Sequence, residues 1–353
     1  MTEDEPYSDR AIDAKKAIPA GILGASLAFV ALVTLGLFRN DWNFDYALDD
    51  VYIHLAMAEQ IGQGRYGVNS IEYASASSSP LYPFLFAPFH ATELQFWLPF
   101  GWNFLCLILA AALMAAAFAK SSLGRLGVVF ALVAPMALAM NVTAFTGMEN
   151  MAHGVASLAI VLGLWRFVET DRVGLLLVLG ILFAPAFRLE GLALAMAAGG
   201  VVLMLGRPRA GIGLIALAIL PVAVFAAFLV SLGLDPLPSS VTAKLDDTGD
   251  GPLANFALNT STRGGVFLFA LSLVVGLISV AAMTRARRTA WFGLAVSAAG
   301  FAHLLFGASG WMDRYENYAV LSQVAALALL AGAASPLAAR TALAVALAGG
   351  LYT

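Results

Sequence analysis

Six short segments hold most of the side chains in this 353-residue chain that are placed to do chemistry. The first is Asp49-Asp50, followed by Tyr52 and His54. Adjacent carboxylates repel, which can raise one pKa until that group serves as a general base. The competing role is N-capping of a helix, where Asp satisfies free N–H groups and favours the dipole. His54 stands four residues after Asp50 and shares its helix face, so it suits a surface partner for Asp50 as well as it suits a catalytic histidine. The second segment, Ser75 to Tyr82 with Ser79-Pro80 inside it, is rich in hydroxyls. Such a turn can hold a phosphate or sugar, or simply open a helix with Pro at its first position. In the third, Thr146 to Asn150, Glu149 falls at a helix start with His153 four residues on, and capping is again the plain alternative.

The fourth segment is Arg188-Leu189-Glu190-Gly191, which joins two apolar runs with almost no loop. It reads either as a salt-bridged hairpin turn or as an anion site, since a guanidinium suits phosphate. The fifth runs from Asp235 to Lys244, one of four lysines in the chain (15, 16, 120 and 244). Lys244 serves as an anion ligand or as an ordinary loop lysine. Asp246, Asp247 and Asp250 follow it with a spacing that fits no calcium loop. The sixth, Trp311 to Tyr318, packs Asp313, Arg314 and Glu316 among aromatics. Tyr and Trp are at home at a membrane interface; three charges in four residues there are harder to explain.

The elements that position these groups are dictated by composition. Hydrophobic residues make up 61% of the chain and charged residues 12%, with a mean hydropathy of +0.85. Soluble domains run at about 45–50% apolar and about 25% charged, so too little charge exists here to cover a soluble surface. A soluble enzyme, a disordered protein and a secreted disulfide scaffold are excluded. Cys106 is the single cysteine, which forbids an intramolecular disulfide. The net charge of −3 argues against a nucleic-acid partner.

Apolar stretches reach the roughly 20 residues a membrane helix needs. They predict about eleven spans, near 17–38, 95–118, 126–143, 150–167, 173–187, 191–206, 210–232, 264–284, 289–308, 318–334 and from 341 onward. The last is a short terminal helix or a sign that the chain continues. The expectation is an all-α polytopic membrane protein forming a single transmembrane domain, with a polar tail over 1–16. With the N-terminus in the cytoplasm, 13 of the 19 Lys and Arg fall on cytoplasmic segments and 6 on the other side, as the positive-inside rule requires. That topology leaves two long external loops, 39–94 and 233–263, and gathers all six segments on the external face. Within the first loop Val51, Leu55, Ala58 and Ile61 form an amphipathic stripe, expected to lie in the membrane interface. Ionisable groups at the membrane edge default to function. No internal repeat, Gly-rich phosphate loop, zinc spacing or coiled-coil heptad is visible.

Taken in order, Leu48-Asp49-Asp50-Val51-Tyr52-Ile53-His54-Leu55, Tyr73 to Tyr82, Gly147-Met148-Glu149, Arg188-Leu189-Glu190-Gly191, Ser239 to Lys244-Leu245 and Asp313-Arg314-Tyr315 resemble the GT-C superfamily of membrane glycosyltransferases. The pattern is closest to bacterial arabinofuranosyl- and mannosyltransferase-like members and covers roughly residues 20–320. It departs at Leu189, where Pro is common, at Asn150, where Thr is common, and at Ser239-Ser240, where Asn-Thr is common. The soluble C-terminal domain often found in the family has no counterpart in this sequence.

The resemblance implies an inverting transfer of a sugar from a polyprenyl-phosphate donor to an envelope glycan, lipid or protein at the external face of a bacterial plasma membrane. Asp50 or Asp49 would be the base. Arg188, Lys244 and Arg314 would surround the phosphate. Glu149, Glu190, His54, Ser79, Asp313 and Tyr315 would bind or orient donor groups. Some members use a divalent metal and others do not, and the sequence leaves that open. The main rival is a transporter or flippase of lipid-linked intermediates; a non-catalytic scaffold is the third. Transporters often carry internal repeats and helices broken at mid-bilayer, whereas the ionisable groups here sit at one face.

Overall fold

The computed structural model describes residues 7–121, 123–239, 251–310, 314–331 and 343–350, with side chains of 7–14 left aside. Every regular element among them is helical. In chain order these are α1 (Tyr7–Arg39), α2 (Asp50–Gly62), α3 (Tyr82–Phe86) with a 3-10 turn (Ala87–Phe89), α4 (Leu94–Lys120), α5 (Arg125–Ala137), α6 (Met140–Phe145), α7 (Asn150–Thr170), α8 (Leu175–Phe187), α9 (Gly191–Met204), α10 (Pro208–Ser231), α11 (Pro252–Asn259), α12 (Arg263–Ala282), α13 (Arg287–Phe306) and α14 (Asn317–Leu330). A further helical stretch covers 343–350.

Six of these helices are long and apolar enough to cross a membrane by length and composition: α1 (from Lys15), α4, α7, α10, α12 and α13. Four more apolar helices, α5, α8, α9 and α14, have only 10–17 residues. Of the about eleven spans expected, six thus have membrane-crossing length among the described residues. Two boundaries also differ. The polar tail over 1–16 is helical from Tyr7 onward, so Lys15 and Lys16 lie within α1 and not ahead of it. The span expected over 126–143 is split between α5 and α6. Pro135 has no N–H to continue the ladder, and Ala139 adopts a left-handed conformation at φ 50°. The carbonyl of Leu138, at the break, accepts a hydrogen bond from the buried Asn317 side chain at 2.9 Å.

The centre is built by α7 and α14. All residues of α14 are buried, with α7, α4, α12 and α13 around it. A helix apolar on every side has to sit inside a bundle. Between apolar helices in an apolar solvent, close packing and interhelical hydrogen bonds replace the hydrophobic effect. Gly163 of α7 and Gly180 of α8 supply the packing: a Cβ on the first would lie 2.6 Å from Leu177 N, and one on the second 2.7 Å from Ile160 N. The hydrogen bonds include Ser297 to the Ser272 carbonyl and Gln323 to the Val296 carbonyl, both at 2.7 Å. On the outside, Leu23, Leu27, Val30 and Phe38 of α1 are exposed, as are Ile212, Val224 and Val230 of α10.

The region 39–94 does carry helices. The buried face of α2 consists of Val51, His54, Met57 and Ala58. The expected stripe is thus shifted: Leu55 and Ile61 are only half-buried, and a histidine takes a place on the inner face. Both ends of Arg188-Leu189-Glu190 are fixed by this frame, since α8 ends at Phe187 and α9 begins at Gly191.

Candidate active site

The two adjacent aspartates have different jobs. Asp49 precedes α2, and its Oδ1 accepts from the Asp50 backbone N–H at 3.0 Å; it is a capping residue, and its side chain is exposed. Asp50 opens the helix and points elsewhere. Its Oδ2 accepts from Arg314 Nη2 at 2.7 Å, while Oδ1 has no hydrogen bond among the described residues. The Asp50 carboxylate keeps 40% of its surface exposed, whereas the Arg314 side chain keeps 4%.

Glu149 occupies the capping position of α7 but caps nothing with its side chain. The turn before it needs Gly147, whose φ is +75° and whose absent Cβ would lie 2.8 Å from the Tyr46 ring. The Gly147 carbonyl accepts from the Tyr82 hydroxyl at 2.7 Å, tying the turn to α3. Glu149 is thereby turned inward and fully buried, where Arg188 Nη1 donates to its Oε1 at 2.7 Å. His54 Nε2 lies 3.3 Å from its Oε2. His54 therefore pairs with Glu149 and not with Asp50. On the other side of the ring, Nδ1 lies 3.3 Å from Ser77 Oγ. Ser77 gives its one hydroxyl proton to the Ser79 carbonyl, so the ring nitrogen must be the donor in that contact.

Arg188 leaves α8 in extended conformation, and its Nη2 donates to Glu190 Oε1 at 2.7 Å. The hairpin salt bridge and the wider charge cluster are therefore both real. Burial alone would raise the Glu149 carboxyl's pKa, but the His54 hydrogen bond and the Arg188 charge outweigh it and hold the group well below the usual carboxylate range. Glu190 is likewise pushed down to about 2: burial opposes the shift, and the Arg188 charge and hydrogen bond overcome it.

Tyr315 closes the cluster. Its ring has the Arg188 guanidinium at 5.1 Å and that of Arg314 at 4.8 Å, and Arg314 Nη2 donates to its hydroxyl at 2.9 Å. The Arg314 carbonyl accepts from Asn150 at 3.0 Å, fixing the approach to α14 against α7.

A small cavity of about 120 Å³ is lined by Asp50, His54, Ser78, Arg188, Arg314 and Tyr315, among others. A second, of about 440 Å³, runs between α9 and α13, with Leu192, Met196, Ala302 and Phe306 in its wall. Arg188 and Ser78 line both. Three guanidinium nitrogens here, Arg188 Nε and Arg314 Nε and Nη1, are buried and have no partner among the described residues. One buried carboxylate oxygen, Glu149 Oε2, also lacks a hydrogen bond among the described residues; donors still outnumber it, which suits a ligand rich in acceptors.

The structure thus brings together Asp50, His54, Glu149, Arg188, Glu190, Arg314 and Tyr315. It separates Asp49, which caps α2, and Ser79, whose Oγ accepts from the Tyr82 N–H at 3.1 Å to cap α3. Ser78 is the serine on the cavities, and only its neighbours' capping geometry could have singled it out. Lys244 and Asp313 lie outside the described residues. Among those described, no three His, Cys, Asp or Glu side chains are grouped to hold a metal ion. His303 and Tyr318 also line the larger cavity; His303 is a site residue that no spacing in the sequence flagged.

By its fold the chain is an all-helical protein with six helices of membrane-crossing length and apolarity. Compared with protein-family models, with curated proteins and with solved structures, it matches none.

Proposed function

We propose that this protein is an inverting membrane glycosyltransferase of GT-C type that takes its sugar from a polyprenyl-phosphate donor. The observation that carries the reading is the pair of neighbouring cavities that share Arg188 and Ser78, the larger one lined mainly by apolar side chains, with unpartnered guanidinium nitrogens on Arg188 and, in the smaller one, on Arg314. A lipid-linked phosphate has the matching form: an apolar chain, an acceptor-only head and a sugar beyond it. The apolar chain occupies the larger cavity and the phosphate meets Arg188 and Arg314, while the sugar faces Asp50. The site lies on the external side of a bacterial plasma membrane.

In this reaction the acceptor hydroxyl loses its proton to Asp50 Oδ1 as its oxygen bonds to the anomeric carbon. The carbon–oxygen bond to phosphate breaks on the opposite face, and lipid phosphate leaves with the bonding pair. General-base assistance of this kind contributes roughly 10²–10⁴-fold. Fixed donors aimed at the leaving phosphate stabilise the charge that develops there. Arg314 anchors the other oxygen of Asp50 and so links base and leaving-group site. The charged groups described are three carboxylates and two guanidiniums, and Lys244 is the further cation this reading calls on for the phosphate. The acceptor is an envelope glycan, lipid or protein.

The test is reconstitution in vesicles with a panel of radiolabelled polyprenyl-phosphate sugars and a membrane acceptor extract. Transfer that is lost in Asp50→Asn supports the reading. Transfer unaffected by Asp50→Asn sinks the assignment of the base. Movement of donor across the bilayer without transfer would instead make the protein a transporter.

A further inference from the structure

The larger cavity is not apolar throughout. Its wall also includes Arg188 and Glu190, with His303 of α13 and Tyr318 of α14. His303 is 2% exposed, and its Nδ1 lies 3.2 Å from the Tyr318 hydroxyl. That hydroxyl is 3.4 Å from the Glu190 carbonyl, so the ring is its shorter contact. The other ring nitrogen, Nε2, has no hydrogen-bond partner among the described residues; the Ala308 backbone adjoins the ring without meeting hydrogen-bond geometry at Nε2.

A buried polar atom left unmatched costs about 1–3 kcal/mol, so its retention in a cavity wall points to an occupant that matches it. With the Tyr318 hydroxyl donating to Nδ1, the neutral ring carries its proton on Nε2 and offers an N–H. Arg188 Nε, also buried and unpartnered, offers a second one on the same cavity. The turn carrying His303 is held in place: Asn255 and Asn259 of α11 both donate to the Gly307 carbonyl, and they also reach the Leu305 and Leu304 carbonyls. The donor is thus fixed before any ligand arrives. Elsewhere in the wall, Met196 and Phe306 are 39% and 67% exposed, which leaves a way in for an apolar chain.

We propose that His303, oriented by Tyr318, donates a hydrogen bond to a phosphate oxygen of an amphipathic lipid phosphate seated in the α9–α13 cavity. This rests on the reading that the cavity takes a lipid-linked phosphate, but it assigns that phosphate a partner away from Asp50 and Arg314. His303 is a binding residue and takes no part in proton transfer at the acceptor.

Binding is measured on the purified full-length protein in nanodiscs, with a long-chain polyprenyl phosphate, the matching polyprenol and inorganic phosphate as separate probes. His303→Leu should weaken polyprenyl phosphate about tenfold, the equivalent of one hydrogen bond to a charged group, and leave the polyprenol unchanged. His303→Gln, whose amide donates, should restore most of the loss. Tyr318→Phe keeps the ring packing, removes the hydroxyl that orients His303, and should give a partial loss confined to the phosphate. Equal losses for phosphate and polyprenol would show a packing defect and overturn the proposal, as would no loss in His303→Leu. Inorganic phosphate binding as tightly as the lipid would overturn the role of the apolar cavity. Phosphate-selective binding without sugar transfer from any donor would sink the transferase reading and leave this one standing.

Discussion

Arg188 and Glu149 meet at 2.7 Å, both side chains almost wholly buried, although 39 positions of chain separate them. Neither charge has water to fall back on. Each depends on the other, and Glu149 depends also on His54.

Removing one member of a buried pair costs about 3–5 kcal/mol, because a charge is left uncompensated. The two members are not equivalent. Glu149→Gln leaves Arg188 still paired with Glu190, whereas Arg188→Leu takes the guanidinium from two carboxylates at once, leaving Glu149 with His54 alone. Thermal unfolding in detergent should therefore rank Arg188→Leu as the more damaging substitution. The reverse ranking would contradict the geometry.

The adjacent aspartates should separate cleanly. Asp50→Asn should abolish most turnover, and it should also lower the unfolding temperature somewhat, because the buried Arg314 guanidinium loses its carboxylate. Asp49→Ala removes a cap, which costs about 1 kcal/mol, and should leave turnover within a few-fold of wild type. Comparable losses of turnover in the two variants would mean that both carboxylates act in the site.

Acid sensitivity follows from Glu149 and Glu190. Both titrate lower in the folded chain than the usual 4.3 or so of an unfolded glutamate. The folded state then binds fewer protons, so their contribution to stability is complete above about pH 4.3 and is lost as pH falls toward 2. The unfolding temperature should stay level from pH 8 to about pH 5 and decline below that. Glu190→Gln should flatten the decline; an unchanged acid limb would exclude Glu190 as its source.

Tyr315 is met by two guanidiniums, so ring and hydroxyl can be told apart. Tyr315→Phe keeps the cation–π contacts, each worth about 0.5–2 kcal/mol, and loses only the bond from Arg314. Tyr315→Leu loses both. Donor affinity measured with a non-transferable lipid-phosphate sugar should fall more in the second variant than in the first.

A second charge cluster provides the contrast. Asp171 receives Arg207 and Arg288, and the hydrogen bonds from Arg207 and then Arg288 lower its pKa. It follows α7 at the start of the segment leading into α8, while Arg188 follows the far end of α8. Asp171→Asn should leave transfer unchanged. A loss comparable to that in Asp50→Asn would mean that the chemistry had been placed at the wrong end of the helices.

The helical class, the apolar runs and the loop 39–94 were all legible from composition and hydropathy. So was the list of charged groups worth watching, because charge is scarce in this chain. The partners were not. Capping preference made Glu149 look local, and nothing nearby in sequence announces Arg188. His54 looked like a partner for Asp50 because helix spacing relates only residues on one helix; its true partner lies on α7's threshold. In the serine run, the sequence has three chemically identical side chains in a row, and only the turn decides that Ser77 braces His54, Ser79 caps α3 and Ser78 meets the cavities. The break between α5 and α6 depends on Asn317, far along the chain, which takes the carbonyl released there. His303 carried no signal at all, being a single histidine in an apolar helix.

The Asp50–Arg314 pair spans 264 positions. Ribosomes deliver the N-terminal partner first, so a nascent chain must carry α2 without its counter-charge through the synthesis of every helix up to α13. Only when the approach to α14 emerges, and α14 is then drawn into the middle of helices already made, do the two halves of the site meet. The Asp50–Arg314 contact is therefore a late event of synthesis: chains truncated before Arg314 would carry Asp50, Glu149 and Arg188 yet lack the side chain that anchors Asp50.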